Sequence, residues 1–121
     1  MAAAPKSKKA VADEAAVVEK IASWPKPYNT IGKRLHKIVL DTDPELSPRL
    51  WYGSAGYARG SGPVLCFFRL DEYLSFGLTE KANISVDDGA TDLLIGSAWF
   101  LTKLDEPTEA RIAEIVRKAV S

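Results

Sequence analysis

The sequence predicts an α+β domain: a twisted antiparallel sheet of four to five strands with three helices packed on one face. Two observations carry this. The stretch Arg49–Leu78 gathers three of the four Tyr, three of the four Phe and the only Cys, and glycine-rich and charged turns divide it into short segments. Three other stretches, two before it and one at the C-terminus, place apolar residues at helical spacing and need an apolar sheet face to cover.

Residues 1–9 are small and basic and contain Pro5, the composition of a disordered tail, so a single domain is expected over residues 10–121. The first helix is predicted from about Ala10 to Ser23. Val11, Ala15, Val18 and Ala22 form its stripe, and Val17 and Ile21 widen it. Trp24-Pro25 ends it, because the residue before a proline is pushed out of the α region. Pro25 and Pro27 make a short stiff link. A second helix starts at Asn29 or Thr30 and runs to about Leu40, with Ile31, Leu35, Ile38 and Val39 as its apolar face. His36 sits at the edge of that stripe, the place of a boundary residue with one hydrogen bond. The acidic segment from Asp41 to Pro48 turns the chain.

The first strand is predicted over Arg49–Ala58, with a bulge or close backbone approach at Gly53 and Gly56. Arg59–Pro63 reads as a hairpin turn. The second strand, Val64–Leu70, is apolar on both faces and therefore central. Tyr73–Leu78 follows, with Ser75 and Gly77 as a floor for something larger. Thr79–Thr91 reads as a loop with one short edge strand near Ile84–Val86. A last strand spans Ala98–Leu104. Asp105-Glu106-Pro107 then opens the third helix, acids at its positive end and Pro in its first turn. Phe68, Cys66, Leu35, Ile112 and Val116 are expected to be buried together.

At 121 residues, 46% hydrophobic and 26% charged, the composition is that of one soluble globular domain. The single Cys, Cys66, excludes an internal disulfide and a Cys-based zinc site. The N-terminus has no secretory h-region, and no apolar run approaches a membrane span of about 20 residues, so the cytoplasm is the expected compartment. Net charge is zero, with a surplus of five positive charges over residues 1–40 and five negative over residues 41–121.

No catalytic set is present, and an enzyme is the least expected reading. His36 is the sole His, and no Ser lies in a Gly-x-Ser-x-Gly elbow. The glycines of 53–62 match neither a dinucleotide fingerprint nor a P-loop. Asp41/Asp43/Glu45 and Asp87/Asp88/Asp92 read as solvated turns, not metal cages. No cofactor is expected. Arg59 and Arg69 beside Tyr57, Phe67 and Phe68 suggest a stacking surface for single strands, but neutral net charge and alternating faces argue against nucleic acid.

The order of elements and the run Tyr52-Gly53-Ser54-Ala55-Gly56-Tyr57 resemble the YdhG-like domain family. The Val64–Phe68 strand, the Tyr73–Leu78 strand and the Leu104-Asp105-Glu106-Pro107 entry to the last helix match in order. The resemblance covers about Val17 to Val120. Ala55 stands where the family usually has Pro, and Tyr73 where many relatives carry His. These are mostly uncharacterised bacterial proteins grouped by fold with the frataxins, and one branch is described as an iron chaperone. The resemblance thus implies a non-enzymatic domain that binds a small ligand or iron. Frataxins use an acidic ridge on the first helix, whereas here Asp13, Glu14 and Glu19 face Lys20, and the second helix carries Lys33, Arg34 and Lys37.

The candidate binding residues are Tyr52, Gly53, Tyr57, Tyr73 and Gly77. Tyr suits a half-wet surface, because its large ring carries a hydroxyl that wants a partner. The neighbouring glycines leave space beside the rings. Two readings stand: an open aromatic pocket or homodimer surface, or aromatics that only shield glycines in a filled sheet. A protein-interaction module acting through an exposed sheet face is the alternative to a ligand-binding domain.

Overall fold

The computed structural model describes residues 7–121. The predicted tail lies mostly outside them, but Ser7 to Lys9 do not belong to it. The Ser7 side chain accepts from the Ala10 amide and caps helix α1 (Lys8–Ala22). An N-cap hydroxyl satisfies an amide that would otherwise lack a partner, so the helix starts earlier than periodicity alone indicates. Helix α2 spans Tyr28–Thr42, after a cis Lys26–Pro27 bond. Five strands follow: β1 (Leu46–Trp51), β2 (Ser54–Arg59), β3 (Val64–Leu70), β4 (Leu74–Leu78) and β5 (Ala98–Leu101). Helix α3 (Glu106–Ala119) closes the chain, with the Asp105 carboxylate accepting from the Thr108 amide at 3.0 Å.

The sheet is antiparallel throughout, and its spatial order β1-β2-β3-β4-β5 is the order of the chain. The helices lie on one face, as the sequence predicts. α1 crosses β1 and β2, α3 lies against β3, and α2 packs between α1 and α3. Under them runs a row of rings, one from each of β2 to β5: Tyr57, Phe68, Phe76 and Trp99. Successive centroids are 5.6, 5.4 and 5.6 Å apart. Side chains on one face of paired strands meet at this spacing, which makes the row the spine of the core. Phe68, Cys66, Leu35, Ile112 and Val116 share that core, as expected.

Four elements differ from the sequence reading. Arg49–Ala58 is not one bulged strand. Trp51 pairs with Ser54, and Tyr52 and Gly53, at φ 50° and 75°, form the two-residue loop of a hairpin. Positive φ at both positions is the geometry that matches strand twist in such loops. The buried side of α1 is Val17 and Ile21, continued by Trp24, while Val11 and Val18 are about half exposed. No strand forms near Ile84–Val86. β5 ends at Leu101, because its partner β4 begins at Leu74, opposite Leu101, and offers nothing beyond.

An aromatic face left open by the helices

Among the described residues, no layer covers the face of the sheet away from the helices. Phe67 stands at its centre, opposite Gly56 on β2 and Gly77 on β4. A methyl group at Gly77 would sit 2.6 Å from Phe67 Cε1, and one at Gly56 would sit 2.7 Å from Trp51 Cβ. Both glycines are therefore beds for rings, and only a residue without a side chain lets the rings lie flat on the sheet. Trp51 meets Phe67 with centroids 5.0 Å apart and Tyr52 edge-on at 4.7 Å. Further along, Tyr73 and Phe100 pair at 5.5 Å. Tyr52 is 81% exposed, Phe100 74% and Tyr73 50%. A hollow of about 240 Å³ opens beside Trp51, Tyr52, Ser54, Phe67 and Arg69. The Ser54 hydroxyl donates across the sheet to the Phe68 carbonyl, and Arg69 pairs with Asp71 at 2.9 Å.

Tyr52 is costly where it is. A side chain at left-handed φ is crowded against its own backbone, by roughly 1–2 kcal/mol. Asn or Asp tolerates such a position and Gly fits it freely. A Tyr here strains the turn and holds a phenol ring out over the face.

Of the five predicted site residues, Tyr52, Gly53, Tyr73 and Gly77 lie on or beside this face. Gly53 forms the turn, and Gly77 is the floor beneath Phe67. Tyr57 does not join them. It points into the core beneath the helices and is completely buried. Its hydroxyl lies 2.7 Å from Nδ1 of His36 on α2. Burial holds the Tyr57 pKa well above 10.0, with Cys66 and the Glu14 carboxylate adding to the rise. The residues the candidate set missed are Trp51, Phe67 and Phe100. Trp51 is the strand residue next to the hairpin loop, and that loop was not foreseen. Phe100 alternates with Trp99 and Leu101 in a strand whose facing could have been read from period 2.

The acidic turns hold their own partners. Asp41 pairs with Lys37 at 2.5 Å, Asp43 accepts from Arg59 at 3.1 Å and from the Glu45 amide, and Asp92 accepts from the Leu94 amide. Among the described residues no three His, Cys, Asp or Glu side chains converge where a metal ion could sit. No helix among them is long and apolar enough to cross a membrane. No protein-family model, curated protein or solved structure gives a significant match to this chain. The functional reading therefore rests on the chain's own geometry.

Proposed function

We propose that this chain is a non-enzymatic interaction domain of the YdhG-like kind, which pairs with a second copy of itself through the open aromatic face of its sheet. One observation carries the reading: five rings, Trp51, Tyr52, Phe67, Tyr73 and Phe100, share a face that none of the described elements covers. Contiguous exposed apolar surface on a small domain marks an interaction site. Tyr and Trp supply large contact area at low entropic cost, and the strained Tyr52 fits a residue kept for its ring. Two such faces stack as sheets do, about 10 Å apart.

A small-ligand reading has the hollow beside Trp51 and Arg69 in its favour. The iron-chaperone role implied by the resemblance gains no support from the carboxylates, which are spread over separate turns. Sedimentation equilibrium tests the proposal. A dimer at tens of micromolar that becomes monomer in the double variant Tyr52→Ser/Phe100→Ser supports it. A wild-type chain that stays monomeric at about 1 mM, near the weakest useful affinities, overturns it.

A further inference from the structure

The helices cover the sheet unevenly. α3 lies against β3, so its flank and the segment that leads into β5 are what border the outer strands β4 and β5. Between that flank and the stacked pair Phe76–Trp99 runs a cleft of about 360 Å³. Phe76, Trp99, Leu101, Pro107, Ile112 and Ile115 make its apolar walls, and Phe100 borders it at the β5 edge. The cleft lies on the helix side of the sheet and meets the open face only at Phe100, on the edge strand β5.

Its polar groups are few and come from one helix face. Thr108, Arg111 and Ile115 follow at spacings of three and four, and so line up along α3. Arg111 is the only charged residue in the lining. Its ion pair among the described residues is loose: Nη1 is 3.8 Å from Glu114, beyond hydrogen-bond length, and the side chain is 56% exposed. Glu114 and Asp87 border an adjoining smaller hollow, not this cleft. The Thr108 amide is already taken by Asp105.

We propose that the cleft between β5 and α3 binds a small monocarboxylic acid with an aromatic or branched apolar body, its carboxylate held by the Arg111 guanidinium. Ligand sites combine an apolar lining with one or two placed polar groups, and this cleft has the size and the balance of one. At roughly 30 Å³ per atom the space suits about a dozen non-hydrogen atoms. A guanidinium fork matches the two oxygens of a carboxylate. A doubly charged phosphate would find only one cation, with Glu114 close behind it. The flat Trp99–Phe76 stack favours a planar or branched body over a sugar or a polar chain.

The test uses the whole chain and 3-phenylpropanoate, with 3-phenylpropanamide as its neutral match. Calorimetry and amide NMR shifts are read on wild type, Arg111→Gln and, as a control on the same helix outside the cleft lining, Arg117→Gln. The expected result is saturable binding of the acid near 1 mM, the range of a fragment this small. Shifts should centre on Trp99 and Ile115, the amide should bind about tenfold more weakly, and Arg111→Gln should lose about tenfold while Arg117→Gln does not. Unchanged thermal unfolding of Arg111→Gln shows that the loss is not misfolding. The proposal falls if the acid does not bind, if acid and amide bind equally, if Arg111→Gln binds as wild type, or if the shifts centre on Trp51 and Phe67. It also falls if the Ile112 and Ile115 signals on α3 move with protein concentration alone, since a second copy then fills the cleft.

Discussion

The hydroxyl of Tyr57, in the middle of strand β2, lies 2.7 Å from Nδ1 of His36 on α2. Burial keeps the phenol protonated, and the hydroxyl and the imidazole share one hydrogen bond. The pair ties the middle helix to the sheet. Tyr57→Phe should lower unfolding free energy by about 1–2 kcal/mol, since it removes the part-buried hydrogen bond that joins α2 to β2. The measurement is a urea melt. A change below about 0.3 kcal/mol would mean that water replaces the hydroxyl at no cost. Oligomeric state should not change, because Tyr57 is not on the open face.

Stability should fall at alkaline pH, and Cys66 should set where the fall begins. Burial pushes its thiol from 9.0 up to about 12. Below pH 9 both folded and unfolded chains hold the proton, and the contribution is complete. Above it the unfolded thiol ionises while the folded one does not, so stability drops by about 1.4 kcal/mol per pH unit until about pH 12. Tyr57 adds a second loss of the same sign once pH passes 10.0. In Cys66→Ala the decline should start nearer pH 10, whatever the absolute stability of that variant. Identical pH profiles for the two proteins would refute the assignment.

Phe68→Ala should cost about 3–5 kcal/mol. Phe68 touches Tyr57 on one side and Phe76 on the other, so its removal breaks the row of rings in the middle. Denaturant unfolding measures it. A cost near 1 kcal/mol would show that the neighbouring rings collapse into the gap.

Gly77→Ala should destabilise by about 1–3 kcal/mol, because the added methyl forces the Phe67 ring off the sheet. The double variant Gly77→Ala/Phe67→Ala should cost less than the sum of the two single changes. Strict additivity in urea melts would mean that the ring does not rest on Gly77.

Tyr52→Asn separates stability from association. Asn tolerates left-handed φ and Asn-Gly favours this turn, so the variant should gain about 0.5–1 kcal/mol. The same change removes an exposed ring and should weaken self-association. A variant that is both less stable and equally associated would leave the strained Tyr without a reason.

Much of the fold was legible. Three amphipathic stripes and one strand-rich region led to helices on one face, and the alternation of β3 separated Cys66 and Phe68 from Phe67. The failures share a cause: local pattern does not weigh size or context. In α1, four small apolar residues outnumber Val17 and Ile21, but burial follows the bulk of Ile21 and Trp24. Tyr-Gly is not among the usual turn pairs, so the β1–β2 hairpin read as one strand. That single error placed Tyr57 with Tyr52, when strand alternation turns it the other way. The β5–α3 cleft had no sequence signal, because it arises from where α3 comes to rest, not from any motif.

The sequential order of the sheet has a kinetic consequence. β1 through β4 are joined by turns of a few residues, whereas β4 reaches β5 only through residues 79–97. Each doubling of loop length adds about 0.6 kcal/mol to the entropy of closure, and this loop is more than two doublings longer than the turn before β4. The first four strands can therefore assemble as successive hairpins while β5 docks last. In the native protein the amides linking β5 to β4 should exchange with solvent sooner than those between β2 and β3, by an opening smaller than global unfolding.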